Sequence, residues 1–155
     1  MKSRILFLVL TLFSAPLISN MASAQEINEY SVKFICGKGD GKCATEGEYF
    51  TAINVYNPMT GGVGFKKKFA VALPEGKAGK ATRFFGAELG ADQTFEIDCQ
   101  NILEHAEAEG FLKGFVVIQS SSQLDIVSVH AATGATGDLE AMNVERYKPR
   151  SVEAE

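Results

Sequence analysis

The sequence predicts an all-β protein, a single antiparallel β-sandwich of about eight strands with one short helical turn. Beyond residue 25, apolar and polar residues alternate with period two in short segments, which is typical of strands that bury one face. These segments are rich in β-branched and aromatic residues and end at Gly, Pro, Asn or Asp. Without its first 24 residues the chain has about 131 residues, which favours one domain.

The first 24 residues predict a secretory signal peptide. Lys2 and Arg4 precede an apolar run over residues 5–18, and the small residues 22–24 resemble an A-x-A cleavage site. The run of about 14 residues is shorter than the ~20 that a spanning helix needs, so we expect cleavage and no stable membrane anchor. No cysteine follows the run directly, so we expect no lipid anchor.

The first three strands are predicted over residues 30–36, 48–56 and 63–73. Pro58 ends the second, because proline cannot donate to a ladder. The third has the cleanest alternation, with Lys67 on its large apolar face and Lys66 and Lys68 on the opposite face. We interpret the three lysines as a solvated or edge-protecting strand segment.

The period changes in the second half of the chain. A short strand near residues 81–85 and a strand over 94–99 precede a helical segment over 100–109, with Gly110 as its stop. Two apolar runs over 112–119 and 124–131 predict central strands that are buried on both faces.

A last strand is predicted over residues 140–146. The domain is therefore expected to span residues 25–147, with a disordered tail over 148–155. The number and spacing of the strands indicate an immunoglobulin-like architecture.

Three cysteines, Cys36, Cys43 and Cys99, predict one disulfide and one remaining thiol in an oxidising compartment. The residues alone allow three pairings. A Cys36–Cys43 bond closes a small glycine-rich hairpin, worth roughly 2.5 kcal/mol, whereas a Cys36–Cys99 bond closes a loop of about 62 residues, worth roughly 4 kcal/mol. The spacing of these thiols does not fit a zinc site.

The charge argues against some partners. The chain has 15 Lys and Arg against 19 Asp and Glu, a formal net charge of −4. The value is about −6 without the first 24 residues, so neither nucleic acid nor an anionic membrane is an expected partner.

No serine-nucleophile motif is present. Residues 120–122 are three serines without the glycines of a G-x-S-x-G elbow. Asp125 and His130 are their nearest candidate partners, but an odd separation along one strand places these two on opposite faces. We interpret His130 as a surface or hydrogen-bonded strand residue.

Other candidates for chemistry are isolated. Glu96 and Asp98 share a strand face at about 6.5 to 7 Å, compatible with an acid–base pair. His105 lies among glutamates that offer a metal one imidazole and a carboxylate. The glycine-rich loop over residues 37–42 matches neither the P-loop nor the EF-hand pattern, so we interpret it as a hairpin loop.

The chain resembles a family of small secreted bacterial β-sandwich proteins of unknown function. The resemblance runs through YSVKFICG, GEYFTAINVYNP, KKFAVALP, FEIDCQNI and FLKGFVVIQSSSQLDIVSVHAA. It implies an exported β-sandwich with a disulfide between Cys36 and Cys99, leaving Cys43 as the extra thiol, and it implies no activity. The strand layout is also loosely similar to the β-sandwich transducers of bacterial sensory rhodopsins, which is a likeness of fold only.

Our functional expectation is an exported, non-enzymatic binding module, secreted or periplasmic, with a protein or cell-envelope partner and no cofactor. The main alternative is a hydrolase or metal-dependent enzyme in which at least three of Glu96, Asp98, His105 and His130 converge. A further alternative is a structural subunit that assembles by strand addition through an open sheet edge and a free segment over residues 25–29.

Overall fold

The structure is a computed structural model that describes residues 26–42 and 44–153. The segment predicted as a signal peptide, residue 25, Cys43 and the last two residues lie outside the described residues. Within the described residues, no helix has the length and hydrophobicity needed to span a membrane.

Strands dominate the described chain, which confirms the all-β class. The strands are β1 (Glu26–Gly39), β2 (Gly47–Tyr56), β3 (Val63–Ala72), β4 (Ala78–Ala81), β5 (Phe85–Leu89), β6 (Thr94–Asp98), β7 (Leu112–Ser120), β8 (Asp125–Thr133), β9 (Leu139–Tyr147) and β10 (Arg150–Glu153), and the helix is α1 (Cys99–Ala106). The short strand predicted near residues 81–85 is two strands, β4 and β5.

The strands pair antiparallel in one open sheet, in the order β4-β3-β7-β1-β2-β8-β9. β10 pairs with β1, β5 with β3, and β6 with β2. β1 connects the two halves of the sheet, because it pairs with β7 over residues 28–36 and with β2 over 37–39. The transition requires Gly37, which has a φ of 88° and where a Cβ would lie 2.0 Å from the carbonyl oxygen of Gly110.

The inner faces of the two halves share one hydrophobic core. Its largest fully buried apolar side chains are Tyr30, Phe34, Phe69, Ile53, Ile97, Ile102, Ile118, Ile126, Val32, Val55 and Val116. The Tyr30 hydroxyl donates to the Leu124 carbonyl at 2.8 Å and accepts from the Leu124 N–H at 2.8 Å, so this core tyrosine is hydrogen-bonded. The immunoglobulin-like arrangement remains a prediction.

The expectation that β7 and β8 are buried on both faces is wrong. In β7, Val116 and Ile118 are fully buried, whereas Phe115 on the opposite face is 44% exposed. In β8, Ile126 is fully buried and Val127 is half-buried. The apolar runs therefore reflect outer faces that are themselves apolar, with no second layer covering them among the described residues.

The two ends of the described chain also differ from expectation. Residues 150–153 form β10, which pairs with residues 26–29 of β1. Residues 150–153 are therefore not disordered, and residues 26–29 are not a free segment. Arg150 forms an ion pair with the nearly buried carboxylate of Glu29, which also accepts from Gln119 Nε2 at 2.6 Å. This long-range ion pair fixes a segment too short to show an alternation pattern.

Helix α1 confirms the predicted helical turn but ends earlier. Asp98 is its N-cap, and its carboxylate accepts from the Asn101 N–H at 2.8 Å. The helix ends at Glu107, which has a left-handed φ of 50°, rather than at Gly110. The N–H groups of Glu107 and Ala108 bond to the last helical carbonyls, so the chain turns before the glycine.

Candidate functional site

A disulfide joins Cys36 in β1 to Cys99 at the start of α1. Its Cα–Cα distance is 5.5 Å, and it is the pair that the sequence resemblance implies. Cys36 is fully buried, and Cys99 Sγ accepts a hydrogen bond from the Thr51 N–H at 3.1 Å. The bond is therefore a buried crosslink between the two halves of the sheet.

The residues predicted as acid–base or metal candidates have separate roles. The Asp98 carboxylate caps α1, and Glu96 is exposed on β6. His105 Nδ1 lies 2.8 Å from the Asn101 carbonyl oxygen, and its ring packs edge-on against Phe85 with centroids 4.7 Å apart. Within residues 26–42 and 44–153, no three His, Cys, Asp or Glu side chains are grouped as a metal site.

His105 lies in the wall of an open cleft of about 650 Å³ beside α1. Lys80 and Arg83 line the cleft from one side, and Glu104 and Glu107 line it from the helix. The mixed charges select for neither an anion nor a cation, so the cleft does not define a ligand class.

His130 belongs to a hydrogen-bonded network between the two halves of the sheet. Its Nε2 lies 2.8 Å from Ser128 Oγ, and its Nδ1 lies 3.1 Å from Thr51 Oγ1. Ser128 donates to the Tyr147 hydroxyl at 3.2 Å, which donates to Glu145 at 2.8 Å. We call these five residues the His130 network.

The serines of residues 120–122, which the sequence did not favour as partners of His130, are absent from the His130 network. Ser120 Oγ donates instead to the Gly64 carbonyl at 3.1 Å, and Asp125 pairs with Arg146 at 3.2 Å. Ser128 was not among the predicted residues, although its spacing of two residues from His130 places both on one strand face.

Side chains of the His130 network form hydrogen bonds with the part of the β1 backbone that no neighbouring strand covers. On the side of β1 away from β7, β10 covers residues 26–29 and β2 covers residues 37–39. Between them, Thr51 Oγ1 donates to the Ile35 carbonyl at 2.9 Å and accepts from the Ile35 N–H at 3.1 Å. Tyr147 also hydrogen bonds with the Lys33 backbone, so side chains complete the edge of β1.

The environment of the network disfavours charge. Burial lowers the pKa of His130 and outweighs the opposing effect of Glu145. Burial also raises the pKa of Tyr147. Ser128 is fully buried, so it is not a solvent-accessible nucleophile, and the geometry indicates a structural role.

The most exposed apolar surface lies on β9 and the strands beside it. Leu139, Met142 and Val144 of β9 are 62%, 65% and 60% exposed. Met142 is in register with Ala131 of β8 and Phe50 of β2, and Phe50 is 46% exposed. We define the β9 surface as the open edge of β9 together with the outward side chains of Phe50, Val127, Val129, Ala131, Met142 and Val144.

β9 is also the long open edge of the described sheet. It has nine residues and pairs with β8 on one side only, whereas β4, β5, β6 and β10 have four or five residues each. Short strands are one way in which proteins protect sheet edges from pairing with other chains. Edge protection is therefore weakest at β9, where it consists of one irregularity beside Thr133 and a few charges.

Comparisons with known proteins bear on the fold alone. No family model matches the chain, and no curated protein matches it significantly. The crystal structure of Thermotoga maritima 1070 is similar, with a TM-score of 0.51 over 87% of this chain and 100% of that chain, at 9% sequence identity. At that identity the likeness shows a shared fold and carries no function.

Proposed function

We propose that this protein is an exported, non-enzymatic binding module that uses the β9 surface to bind a protein of the periplasm or the cell exterior. The observation that carries the proposal is the nine-residue open edge with three side chains at least 60% exposed beside an apolar sheet face. Exposed apolar patches of this kind mark interaction sites in soluble proteins.

The mode of binding that fits the surface is strand addition. An incoming strand gains backbone hydrogen bonds from the free edge of β9, and the outward side chains of Met142 and Val144 select apolar partners. The scatter of Glu96, Asp98, His105 and His130 over separate structural roles supports binding rather than catalysis.

The disulfide supports the proposed compartment. Cys36 and Cys99 form a buried crosslink, and such bonds persist in oxidising environments outside the cytoplasm. The net charge of −4 favours a protein partner over nucleic acid.

Pull-down from the envelope and culture supernatant of the source organism tests the proposal. The bait is the wild-type protein, and the test variant is Met142→Lys/Val144→Lys, which adds two charges to the β9 surface. A matched control, Phe115→Lys with Leu73→Lys, places the same charges at exposed apolar positions outside that surface.

A protein that binds the wild type and the control but not the test variant supports the proposal. Partners that bind all three baits equally contradict it, because the β9 surface then plays no part.

A further inference from the structure

We propose that the occupant of the β9 edge is β9 of a second copy of this chain, paired antiparallel about a twofold axis at Asn143. The inference rests on the proposed binding role of the β9 surface and names its partner. In this arrangement the halves of two molecules that contain β8 and β9 form one continuous sheet, and the same strand supplies both sides of the contact.

The charge pattern of β9 is self-complementary in this register. In an antiparallel pair about Asn143, Glu140 of each copy lies opposite Arg146 of the other, which gives two opposite-charge pairs. Glu140 is the residue that the ladder with β8 passes over, between Ala141 and Leu139, and its carboxylate lies beside Gly134, so each pair forms when this side chain turns towards the partner. Met142 of each copy lies opposite Val144 of the other. These two residues are 65% and 60% exposed, so the pairing covers the most exposed apolar side chains of the outer face.

The neighbouring registers fit less well. Only register shifts that keep the outward side chains of both β9 strands on the same face of the joined sheet are compatible with the apolar pattern. One such shift places Val144 opposite itself and Met142 opposite Arg146, and it moves the partner of Glu140 to Lys148, which lies beyond the end of β9. The other places Glu140 opposite Val144 and moves the partner of Arg146 to Asp138, which lies before the start of β9.

The dimer also merges the apolar faces of the two copies. Phe50, Ala131 and Met142 form one row across β2, β8 and β9, and the twofold axis continues each row into the partner. The other half of the sheet offers no comparable edge among the described strands, since β4, β5 and β10 have four or five residues.

Sedimentation velocity over a wide range of protein concentrations tests the inference with charge reversals. We expect Glu140→Arg and Arg146→Glu each to weaken dimerisation about tenfold, because two attractive pairs become repulsive. We expect the double variant Glu140→Arg/Arg146→Glu to restore it. Lys77→Glu is the control, since it reverses a charge of an exposed ion pair in the turn between β3 and β4 and leaves the interface pairs intact.

The register is tested by single cysteines in a Cys43→Ser background. Asn143→Cys is expected to crosslink to itself with a short thiol-reactive reagent more efficiently than Met142→Cys or Val144→Cys, which the neighbouring registers place on the axis. Restored dimerisation in the double charge reversal, together with preferred crosslinking at position 143, supports the inference.

A wild-type protein that stays monomeric at every concentration overturns the inference. The pull-down then distinguishes two cases. If the monomeric wild type captures another protein and the Met142→Lys/Val144→Lys variant does not, only the identity of the partner was wrong. If it loses none, the proposed binding function fails as well.

Discussion

Removing the Cys36–Cys99 crosslink should strongly destabilise the protein. The two cysteines are 63 residues apart in sequence, so the bond restricts a long loop of the unfolded chain. The chain-entropy relation gives about 4 kcal/mol at 25 °C for a loop of this length. Loss of the hydrogen bond from the Thr51 N–H to Cys99 Sγ adds about 1 kcal/mol.

Urea denaturation of the Cys36→Ala/Cys99→Ala variant measures this loss, with Cys43→Ser in both the variant and the reference protein so that no free thiol remains in either. We expect the free energy of unfolding to fall by about 4 to 5 kcal/mol, a large part of the 5 to 15 kcal/mol typical of a domain. The slope of the free energy of unfolding against urea concentration should increase, because the unfolded chain expands when the loop is released.

A loss below about 1 kcal/mol would refute the reasoning, since it would show that the bond does not restrict the unfolded ensemble. The Cys43→Ser reference itself should unfold like the wild type, because Cys43 takes no part in the Cys36–Cys99 bond.

Four further predictions use the same unfolding measurement. Thr51→Val keeps the shape of the side chain but leaves backbone groups of β1 unpaired, so we expect a loss of about 1 to 3 kcal/mol, and an unchanged midpoint would contradict the role of the His130 network. Lys67 is 5% exposed and its ammonium lies 4.3 Å from the Phe95 ring, and burial lowers its pKa. Lys67→Met should therefore stabilise the protein by about 1 kcal/mol at neutral pH. The gain should shrink as the pH rises towards 10.5, because the native lysine releases its proton before the unfolded one. Gly114→Ala places a Cβ 2.2 Å from the Ala70 carbonyl oxygen and should cost about 1 to 3 kcal/mol, whereas Gly64→Ala, with no atom within 4 Å, should be nearly neutral; equal effects would argue against a close approach at β7. Burial alone would raise the pKa of Glu29, but hydrogen bonds from Gln119 and Arg150 outweigh it and lower this pKa below its usual 4.5. The native carboxylate thus contributes stability above pH 4.5 that is lost as the pH falls through its lowered pKa, and Glu29→Gln should flatten the acid side of the stability profile.

Period-two alternation was sufficient to predict the strands whose two faces differ in polarity. In β3, Phe65 and Phe69 lie in the core and Lys66 is exposed, as the alternation predicts. The alternation also predicts that Lys67 lies on the core face, where its ammonium contacts an aromatic ring. The interpretation of the three lysines as a solvated or edge-protecting segment is therefore wrong for Lys67, which is buried in a strand paired on both sides.

Alternation failed where both faces of a strand are apolar or where a strand is short. The runs in β7 and β8 contain an apolar outer face, and sequence alone does not distinguish such a face from one covered by a second layer. β10 has four residues, and its position depends on Glu29, more than a hundred residues earlier. Local patterns contain no information about such a contact.

The candidate site was the least predictable part. The alternative of strand addition required an open sheet edge and a free segment over residues 25–29, but β10 covers residues 26–29. The exposed strand is β9, whose sequence resembles that of an ordinary half-buried strand. Its exposure follows from its place at the end of the strand order, which is a property of the topology.

The pairing of β1 with β10 brings the two ends of the described chain together. Glu26 lies opposite Glu153 in that pair, so their Cα atoms are separated by about 5 Å. A short linker between these ends, with new termini opened in the exposed turn around Gly76, should therefore yield a circular permutant with the same sheet order. In the natural chain order this pair forms between the first and the last described strands, so the sheet is completed only after the whole domain has been synthesised.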